Sequence, residues 1–216
     1  MVASQTTMQR FAAPPVPMLD GRWRIWRFTR ADAEALMRQG LIPEDATTEL
    51  LSGMIVLKDR SARGEDPQMI GKEHTITVER LSNLRGRIND VRRHVESQQP
   101  LACSDIHQPE PDFMVLRGKL EDYADLPTGA DTFCVIEVAD SSYERDAGEK
   151  LRGYAAAGVG QYVIINLRNR TAEVYTNPDR ASGTYPLPRI VTSGERLGLC
   201  VGETEHFGVT LSEILP

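Results

Sequence analysis

The sequence has few cysteines and no long apolar run. Cys103, Cys134 and Cys200 are odd in number, lie far apart and form no C-x-x-C pair. A disulfide framework and a zinc knuckle are therefore not indicated, and a reducing compartment is expected. No stretch has the length and hydrophobicity of a signal-peptide core or a membrane-spanning helix. We therefore expect a cytoplasmic protein that does not enter a membrane.

Positive charge is also scarce. The 25 Lys and Arg residues are outnumbered by 31 Asp and Glu residues, which gives a formal net charge of -6. Because nonspecific affinity for nucleic acid comes mainly from Lys and Arg contacts to phosphates, this balance argues against broad attraction to DNA or RNA. It leaves open a nucleic-acid enzyme, since an acidic metal site can coexist with a local basic rim.

Two common catalytic signatures are missing from the sequence. No serine lies in a G-x-S-x-G nucleophile elbow. The Gly158-Val159-Gly160 stretch precedes a predicted strand instead of joining a strand to a helix, so it is not a dinucleotide-binding fingerprint. Acidic and basic side chains are therefore the remaining candidates for catalysis or binding.

The length of 216 residues, with 40% hydrophobic and 26% charged residues, is typical of one globular domain. Residues 1 to 22 contain three prolines and no apolar periodicity, which predicts a flexible N-terminal arm. Residues 23 to 216 are predicted to form a single α/β domain.

The first predicted elements are a helix and a hairpin. Thr29 can cap a helix, with Asp32 at the reciprocal capping-box position and Gly40 at the end. Two strands are predicted on either side of Ser52-Gly53, where glycine tolerates the positive φ of a tight turn. A loop is predicted over residues 60 to 71, followed by one long helix over residues 72 to 95. That helix is indicated by a stripe of Leu81, Leu84, Ile88, Val91 and Val95.

The second half of the chain is predicted to form three strands, a helix and a further strand, followed by short strands and a closing helix. The unbroken apolar character of the third strand is typical of the centre of a sheet. The segments, in order, are ESQQPLAC, PDFMVL, DTFCVIEVAD, the helix ERDAGEKLRGYAAAG, the strand QYVIINL, RTAEVYTN with further short strands, and the helix GVTLSEIL.

Glu137 is the most informative local anomaly, because it lies inside the predicted central strand. A buried ionised carboxylate costs several kcal/mol unless it is paired, hydrogen-bonded or bound to metal. It could instead lie at an exposed strand end or pair structurally with an arginine. Asp112 begins the neighbouring extended segment after Pro111, a position that alone indicates only turn chemistry. Together the two carboxylates supply the oxygen ligands that Mg²⁺ or Mn²⁺ prefers.

The helix after Glu137 presents Asp146, Lys150 and Tyr154 at four-residue intervals, and therefore on one face. A lysine ammonium there could orient water or offset charge on a phosphate. The alternative is an exposed Asp-Lys pair of little energetic value. A second basic group, made of Arg85, Arg87, Arg92 and Arg93, is interpreted as a solvated face, with phosphate contact as the alternative.

Several motifs together resemble the bacterial "Uma-two" family of "putative restriction endonucleases" within the PD-(D/E)xK nuclease superfamily. The resemblance runs from about residue 28 to the C-terminus. It is carried by the order and spacing of TELLSGMIV, EHTITVERL, EPDFMVL, VIEVADSS, RDAGEKLRGYAAAGVGQYVIIN and AEVY.

This resemblance implies a restriction-endonuclease-like fold, with a central mixed sheet flanked by helices, an N-terminal helix and hairpin, and short C-terminal strands. It implies hydrolysis of nucleic acid, DNA first, with Mg²⁺ or Mn²⁺ held by Asp112 and Glu137. The superfamily lysine position holds Ala139, and the resemblance implies that Lys150 from the following helix takes its place. Glu49 matches an acidic position of the family's early hairpin, which implies a catalytic role as a further ligand or a water-orienting group. The alternative is an ordinary surface-exposed glutamate of the hairpin.

His74 matches a family position too, although a histidine on an apolar helix face is more often a core residue. The competing functional hypothesis is a nuclease-fold protein that binds nucleic acid or a protein partner without cutting. A homodimer is expected, because two-fold assemblies are the commonest oligomers and many DNA-cutting enzymes act on both strands.

Overall fold

The structure is a computed structural model that describes residues 25–43, 46–58, 71–90 and 92–216. The predicted arm of residues 1 to 22 lies outside these ranges, as do Val91 and all but the last residue of the predicted loop. No helix among the described residues is both long enough and apolar enough to cross a bilayer.

The N-terminal helix and hairpin were predicted correctly. Thr29 and Asp32 form a complete capping box, since each side chain accepts a hydrogen bond from the other's backbone N–H. The hairpin turns at Ser52 and Gly53, whose φ angles of 48° and 76° lie in the left-handed region. The elements are α1 (Arg30–Arg38), β1 (Thr48–Leu51) and β2 (Met54–Leu57).

The long helix predicted over residues 72 to 95 is wrong. Asn89 and Asp90 break the helical pattern, because their side chains accept hydrogen bonds from the backbone N–H groups of Val95 and Arg92 and so turn the chain back. The described residues of the apolar stripe, Leu81, Leu84, Ile88 and Val95, are still buried, but they belong to two short helices, the turn between them and a strand. The observed elements are α2 (Lys72–Ser82), α3 (Arg85–Ile88) and β3 (Arg93–Glu96).

A six-stranded mixed sheet forms the centre of the fold, in the order β3-β4-β5-β6-β7-β8. Only β5 and β6 are parallel among these neighbours. The strands after β3 are β4 (Phe113–Arg117), β5 (Thr132–Ala139), β6 (Gln161–Asn166), β7 (Thr171–Thr176) and β8 (Arg189–Thr192).

The strand predicted at ESQQPLAC is also wrong, because only its first residue, Glu96, belongs to a strand. The chain beyond it doubles back on itself. Leu101 donates its backbone N–H to Pro109 across this loop at 2.9 Å, and Ser104 bridges to His107. Local pairing therefore uses the hydrogen bonds that a sheet strand would have needed.

One composite helix connects the two parallel strands. It consists of α4 (Tyr143–Arg145), a π-helical segment (Asp146–Lys150) and α5 (Leu151–Ala157). Gly158 ends it with a left-handed φ of 82°. A single-turn π segment inside an α-helix is rare and is often found at functional sites.

The C-terminal part adds a separate two-stranded sheet of β9 (Arg196–Cys200) and β10 (His206–Thr210), and then α6 (Leu211–Ile214). The predicted closing helix is therefore shorter than expected, since its first three residues belong to β10. The overall prediction of an α/β fold with a central mixed sheet flanked by helices is confirmed.

The two faces of the central sheet bury different cores. α2 and the C-terminal elements cover one face with aliphatic side chains, including Leu81, Ile136 and Leu197. The composite helix covers the other face, where Tyr154 and Tyr162 pack with ring centroids 4.8 Å apart. The candidate site lies on this second face.

Candidate functional site

Glu137 is buried, as the sequence predicted, with only 3% of its surface exposed. It lies between Val135 and Ala139 on the face of β5 that meets the composite helix. Its Oε1 accepts hydrogen bonds from Lys150 Nζ at 2.9 Å and from the Tyr154 hydroxyl at 2.7 Å. The structural alternatives of an exposed strand end and an arginine partner are therefore not what is observed.

Lys150 is the centre of the site. It is 2% exposed, and its ammonium lies 2.8 Å from Glu49 Oε1 as well as 2.9 Å from Glu137 Oε1. A third carboxylate oxygen, Asp146 Oδ1, is 3.9 Å away. The predicted replacement lysine from the following helix therefore reaches the second acid, which Ala139 cannot do.

Asp112 stands immediately before β4, next to Glu137 across the strand pair. The register pairs Phe113 with Ile136, so the residues one step further along are neighbours. Asp112 Oδ2 accepts a hydrogen bond from the Val138 N–H at 2.8 Å and lies 3.2 Å from His74 Nε2. His74 is thus a contact of the site rather than only a core residue.

Glu49 is held in the site by the N-terminal hairpin. Its side chain is fully buried, and Oε1 accepts the backbone N–H of Glu110 at 2.8 Å in addition to its contact with Lys150. Lys58, at the end of the hairpin, lies 3.8 Å from the same oxygen and 2.5 Å from Glu110. The alternative of an ordinary surface role for Glu49 is wrong.

Sequence reasoning undervalued Asp146, whose exposed-pair alternative does not hold because it is 1% exposed. Its Oδ2 accepts the Ser142 hydroxyl at 2.5 Å, and its Oδ1 has no hydrogen-bond partner. We call Glu49, Asp112, Glu137 and Asp146 the acid cluster. The four-residue spacing to Lys150 was the available signal, but it could not reveal burial.

His107 contributes to the site but carries no signal in the sequence. It is buried, and its Nδ1 accepts the Ser52 backbone N–H at 3.1 Å, which ties the hairpin turn to the protein. The opposite side of the ring packs against Gly153 of α5, where a Cβ would come within 2.0 Å of Nε2. His107 and Gly153 therefore fix the hairpin that carries Glu49 against the helix that carries Lys150.

The charges of the site are unbalanced. Burial raises the pKa of Glu137 to about 8, against the opposing effect of the Lys150 ammonium. The other three carboxylates of the acid cluster act in the same direction as burial. Burial likewise raises the pKa of Asp146. Four carboxylates beside one buried ammonium give the site a negative potential that favours a proton or a cation.

The remaining groups of the site shift in the other direction. At Glu49 burial is outweighed by Lys150 and Lys58, which hold its pKa below its ordinary value. At Asp112 burial is outweighed by the hydrogen bond with His74, so its pKa is lowered as well. Burial would lower the pKa of Lys150, but the neighbouring carboxylates raise it, and the ammonium stays charged at neutral pH.

The donor set fits a hard divalent cation with a large share of water ligands. No group of three or more His, Cys, Asp or Glu side chains is arranged to hold an ion within the described ranges. Asp112 and Glu137 are nevertheless neighbours across the β4–β5 pair, and the contacts described above are made by Oδ2 of the first and Oε1 of the second. Mg²⁺ commonly binds through one or two carboxylates and keeps several waters. The residues therefore fit an open site rather than a closed one.

The arginine group does not line the acid cluster. Arg93 is buried, contrary to the interpretation as a solvated face, and lies 3.0 Å from Asp90 and 2.6 Å from Glu205. Arg85 and Arg87 are exposed, and the Arg87 guanidinium lies 4.7 Å from the centre of the Phe207 ring. Acidic or aromatic partners thus occupy most of this group.

The fold is thus an α/β fold whose central mixed sheet carries acids and a lysine beside its middle strands. The fold is shared by a solved structure described as "a putative nuclease belonging to DUF820 from Anabaena variabilis". The TM-score is 0.62 at 13% sequence identity, and the match covers 87% of this chain and 97% of that one. No curated protein matches the chain.

The chain belongs to the Uma2 family, which is described as "Putative restriction endonuclease" and matches residues 62–210. The resemblance seen in the motifs is thereby confirmed. The family and the fold together support a nuclease, and nucleic acid is the substrate class that the family implies.

Proposed function

We propose that the protein is a metal-dependent endonuclease that hydrolyses phosphodiester bonds of nucleic acid, with DNA as the first substrate to test. The observation that carries this proposal is the contact of the Lys150 ammonium with both Glu49 and Glu137, beside Asp112. Lys150 thus provides the lysine that is missing at position 139 of the superfamily pattern. It makes a cutting enzyme a better explanation than a nuclease fold that only binds.

Asp112 and Glu137 are the residues that would hold Mg²⁺ or Mn²⁺. When bound, such an ion acidifies water and neutralises charge on the phosphoryl group. Tyr154 fixes Glu137 by donating to Oε1, and His74 with the Val138 N–H fixes Asp112. Positioned carboxylates of this kind lose less freedom on binding an ion.

Lys150 and Glu49 provide the remaining chemistry. Hydrolysis forms one P–O bond from water and breaks the P–O bond to the leaving oxygen, while the water loses a proton and the leaving oxygen gains one. The Lys150 ammonium can orient the water or offset charge developing on the phosphate. Glu49 holds that ammonium at 2.8 Å and keeps it in the site.

We further propose that the enzyme works in the cytoplasm and acts as a homodimer. A two-fold assembly would present two sites to the two strands of a duplex. Light scattering of the purified full chain checks this part. A monomeric mass at the concentration of the cleavage assay would remove the dimer without affecting the site.

The central test is cleavage of single- and double-stranded DNA and RNA by the full chain with Mg²⁺ or Mn²⁺. We expect Glu137→Gln to reduce cleavage by roughly a thousandfold, which is the scale for loss of a group that stabilises transition-state charge. Circular dichroism and thermal unfolding serve as the check that the variant is folded. Unchanged cleavage by a folded Glu137→Gln variant would contradict the assignment.

Metal titration separates this function from the non-cutting alternative. A ligand that binds only the native state raises the midpoint of thermal unfolding with its concentration. We expect Mg²⁺ and Mn²⁺ to stabilise the wild type and to lose this effect in Asp112→Asn. Absence of any stabilisation at millimolar metal would favour a nuclease-fold binding protein.

A further inference from the structure

Asp146 is the carboxylate of the acid cluster with the weakest compensation. Glu49 and Glu137 each lie within 3 Å of the Lys150 ammonium, and Asp112 has His74 and a backbone N–H. Asp146 has only the Ser142 hydroxyl, on Oδ2. A buried carboxylate oxygen without a donor is costly, so a structure that keeps one needs a reason.

The unpartnered oxygen of Asp146 lies close to the lysine of the site. Asp146 Oδ1 is 3.9 Å from Lys150 Nζ, about 0.7 Å or more beyond the usual length of such a hydrogen bond. An ammonium has three N–H donors, and two acceptors, Glu49 and Glu137, are already within hydrogen-bond distance. Asp146 Oδ1 is therefore a vacant third acceptor.

The π-helical segment holds Asp146 and Lys150 in this relation. The Leu151 N–H bonds to the Asp146 carbonyl five residues before it, and the Tyr162 hydroxyl donates to the same carbonyl at 3.0 Å. Tyr162 belongs to β6, so the sheet fixes the backbone from which both side chains extend. A change of partner by Lys150 would therefore come from rotation of its flexible side chain.

We propose that Asp146 is a positioning residue that receives the Lys150 ammonium when Glu137 binds a divalent cation. This inference rests on the proposed function. An ammonium and a divalent cation repel each other at a shared carboxylate, and the repulsion is strong where water is excluded. Lys150 keeps Glu49 and exchanges Glu137 for Asp146, which leaves Glu137 to the cation and keeps the ammonium beside the substrate.

Arg145 is the competing partner for Asp146. Its Nε also lies 3.9 Å from Asp146 Oδ1 and has no hydrogen-bond partner. The arginine side chain is 32% exposed, whereas the lysine side chain is 3% exposed. The Arg145 Nε atom is itself buried, so water reaches only the rest of the guanidinium. Lys150 has no comparable exposed part, and its ammonium depends on the acceptors of the site.

A crystal structure of the wild-type full chain with Mn²⁺ tests the exchange directly. We expect Mn²⁺ at Asp112 and Glu137, with Lys150 Nζ within about 3 Å of Asp146 Oδ1 and no longer bonded to Glu137. Mn²⁺ bound there with Lys150 still on Glu137, or with Arg145 on Asp146, overturns the exchange alone. Absence of Mn²⁺ from this pair overturns both the exchange and the proposed metal site.

Kinetics provide a second readout with a matched control. Asp146→Asn should lower kcat by about 10- to 100-fold, the scale for outer partners of a metal site, with KM changed less than about threefold. Glu144→Gln removes a negative charge from the same composite helix, but this residue is exposed, so kcat should stay near the wild-type value. An unchanged kcat in Asp146→Asn contradicts the proposal. If that variant fails to fold, the wild-type structure decides.

Discussion

A comparison of the two faces of β5 shows how the protein accommodates a charged site on a buried sheet. One face presents Cys134, Ile136 and Val138 to an apolar layer that is mostly aliphatic. The opposite face presents Glu137, which is buried to nearly the same degree beside Lys150. Burying an aliphatic side chain stabilises the fold by about 1.5–3 kcal/mol, whereas a buried ion pair contributes little. The stability that the apolar face provides therefore offsets the cost of burying charged groups on the opposite face.

The largest expected effects come from substituting Ile136 and Glu137, two adjacent residues that lie on opposite faces of β5. Ile136→Ala should lower the free energy of unfolding by about 2–5 kcal/mol, because it leaves a cavity in a packed core. Cleavage per folded molecule should change little. Glu137→Gln should do the opposite, with little loss of stability and nearly complete loss of cleavage. Chemical denaturation and initial rates check both, and equal losses of stability would break the comparison.

Acidic pH should lower the free energy of unfolding through His107. Burial lowers the pKa of this imidazole from 6.5 to about 4. Between these values the unfolded chain binds the proton and the folded protein does not. Stability is therefore complete above pH 6.5 and is lost as the pH falls toward 4, by about 2–3 kcal/mol. Urea unfolding at several pH values measures the loss, and His107→Gln should remove its share of the slope.

Two glycines of the composite helix should respond oppositely to the same substitution. Gly153→Ala puts a Cβ within 2.0 Å of His107 Nε2, so we expect a loss of roughly 1–3 kcal/mol. Gly148→Ala meets no atom within 4 Å and should stabilise the helix by up to about 1 kcal/mol. Thermal unfolding compares them. A stable Gly153→Ala variant would show that His107 can move away from α5.

The smallest expected effect concerns the hydroxyl of Tyr154. Tyr154→Phe keeps the aromatic packing but removes the hydrogen bond to Glu137 Oε1. We expect a loss of about 1 kcal/mol in stability, the usual net contribution of one hydrogen bond. Cleavage should fall modestly, because Lys150 still contacts the same oxygen. A loss of cleavage as large as that of Glu137→Gln would give the hydroxyl a direct part in the chemistry.

The features that the sequence predicted are those in which one local rule is sufficient. The capping box of Thr29 and Asp32, the Ser52-Gly53 turn and the apolar central strand around Glu137 follow from neighbouring residues alone. The long helix over residues 72 to 95 failed because Asn89 and Asp90 bond to the backbone, while the apolar spacing continues through them. Apolar periodicity predicts which residues are buried. It does not predict whether those residues belong to a helix or to a strand.

The candidate site could be predicted only in part, because some of its contacts depend on the tertiary structure. Glu137 is conspicuous because a carboxylate in an apolar strand is costly, and the motif order selects Asp112, Lys150 and Glu49. The contact between Glu49 and Lys150 joins residues 101 positions apart, so it depends on the tertiary structure. The π-helical segment and the burial of Asp146 depend on it too, because a spacing of four residues is the same on exposed and buried helices.

The burial of Lys150 also has a practical consequence for chemical modification. The chain has four lysines, and Lys72 and Lys119 are exposed, while Lys58 is partly exposed. Reagents that acylate amines need an accessible, unprotonated nitrogen, and Lys150 offers neither in the folded protein. The protein can therefore be labelled or immobilised through its surface amines without consuming the lysine of the candidate site.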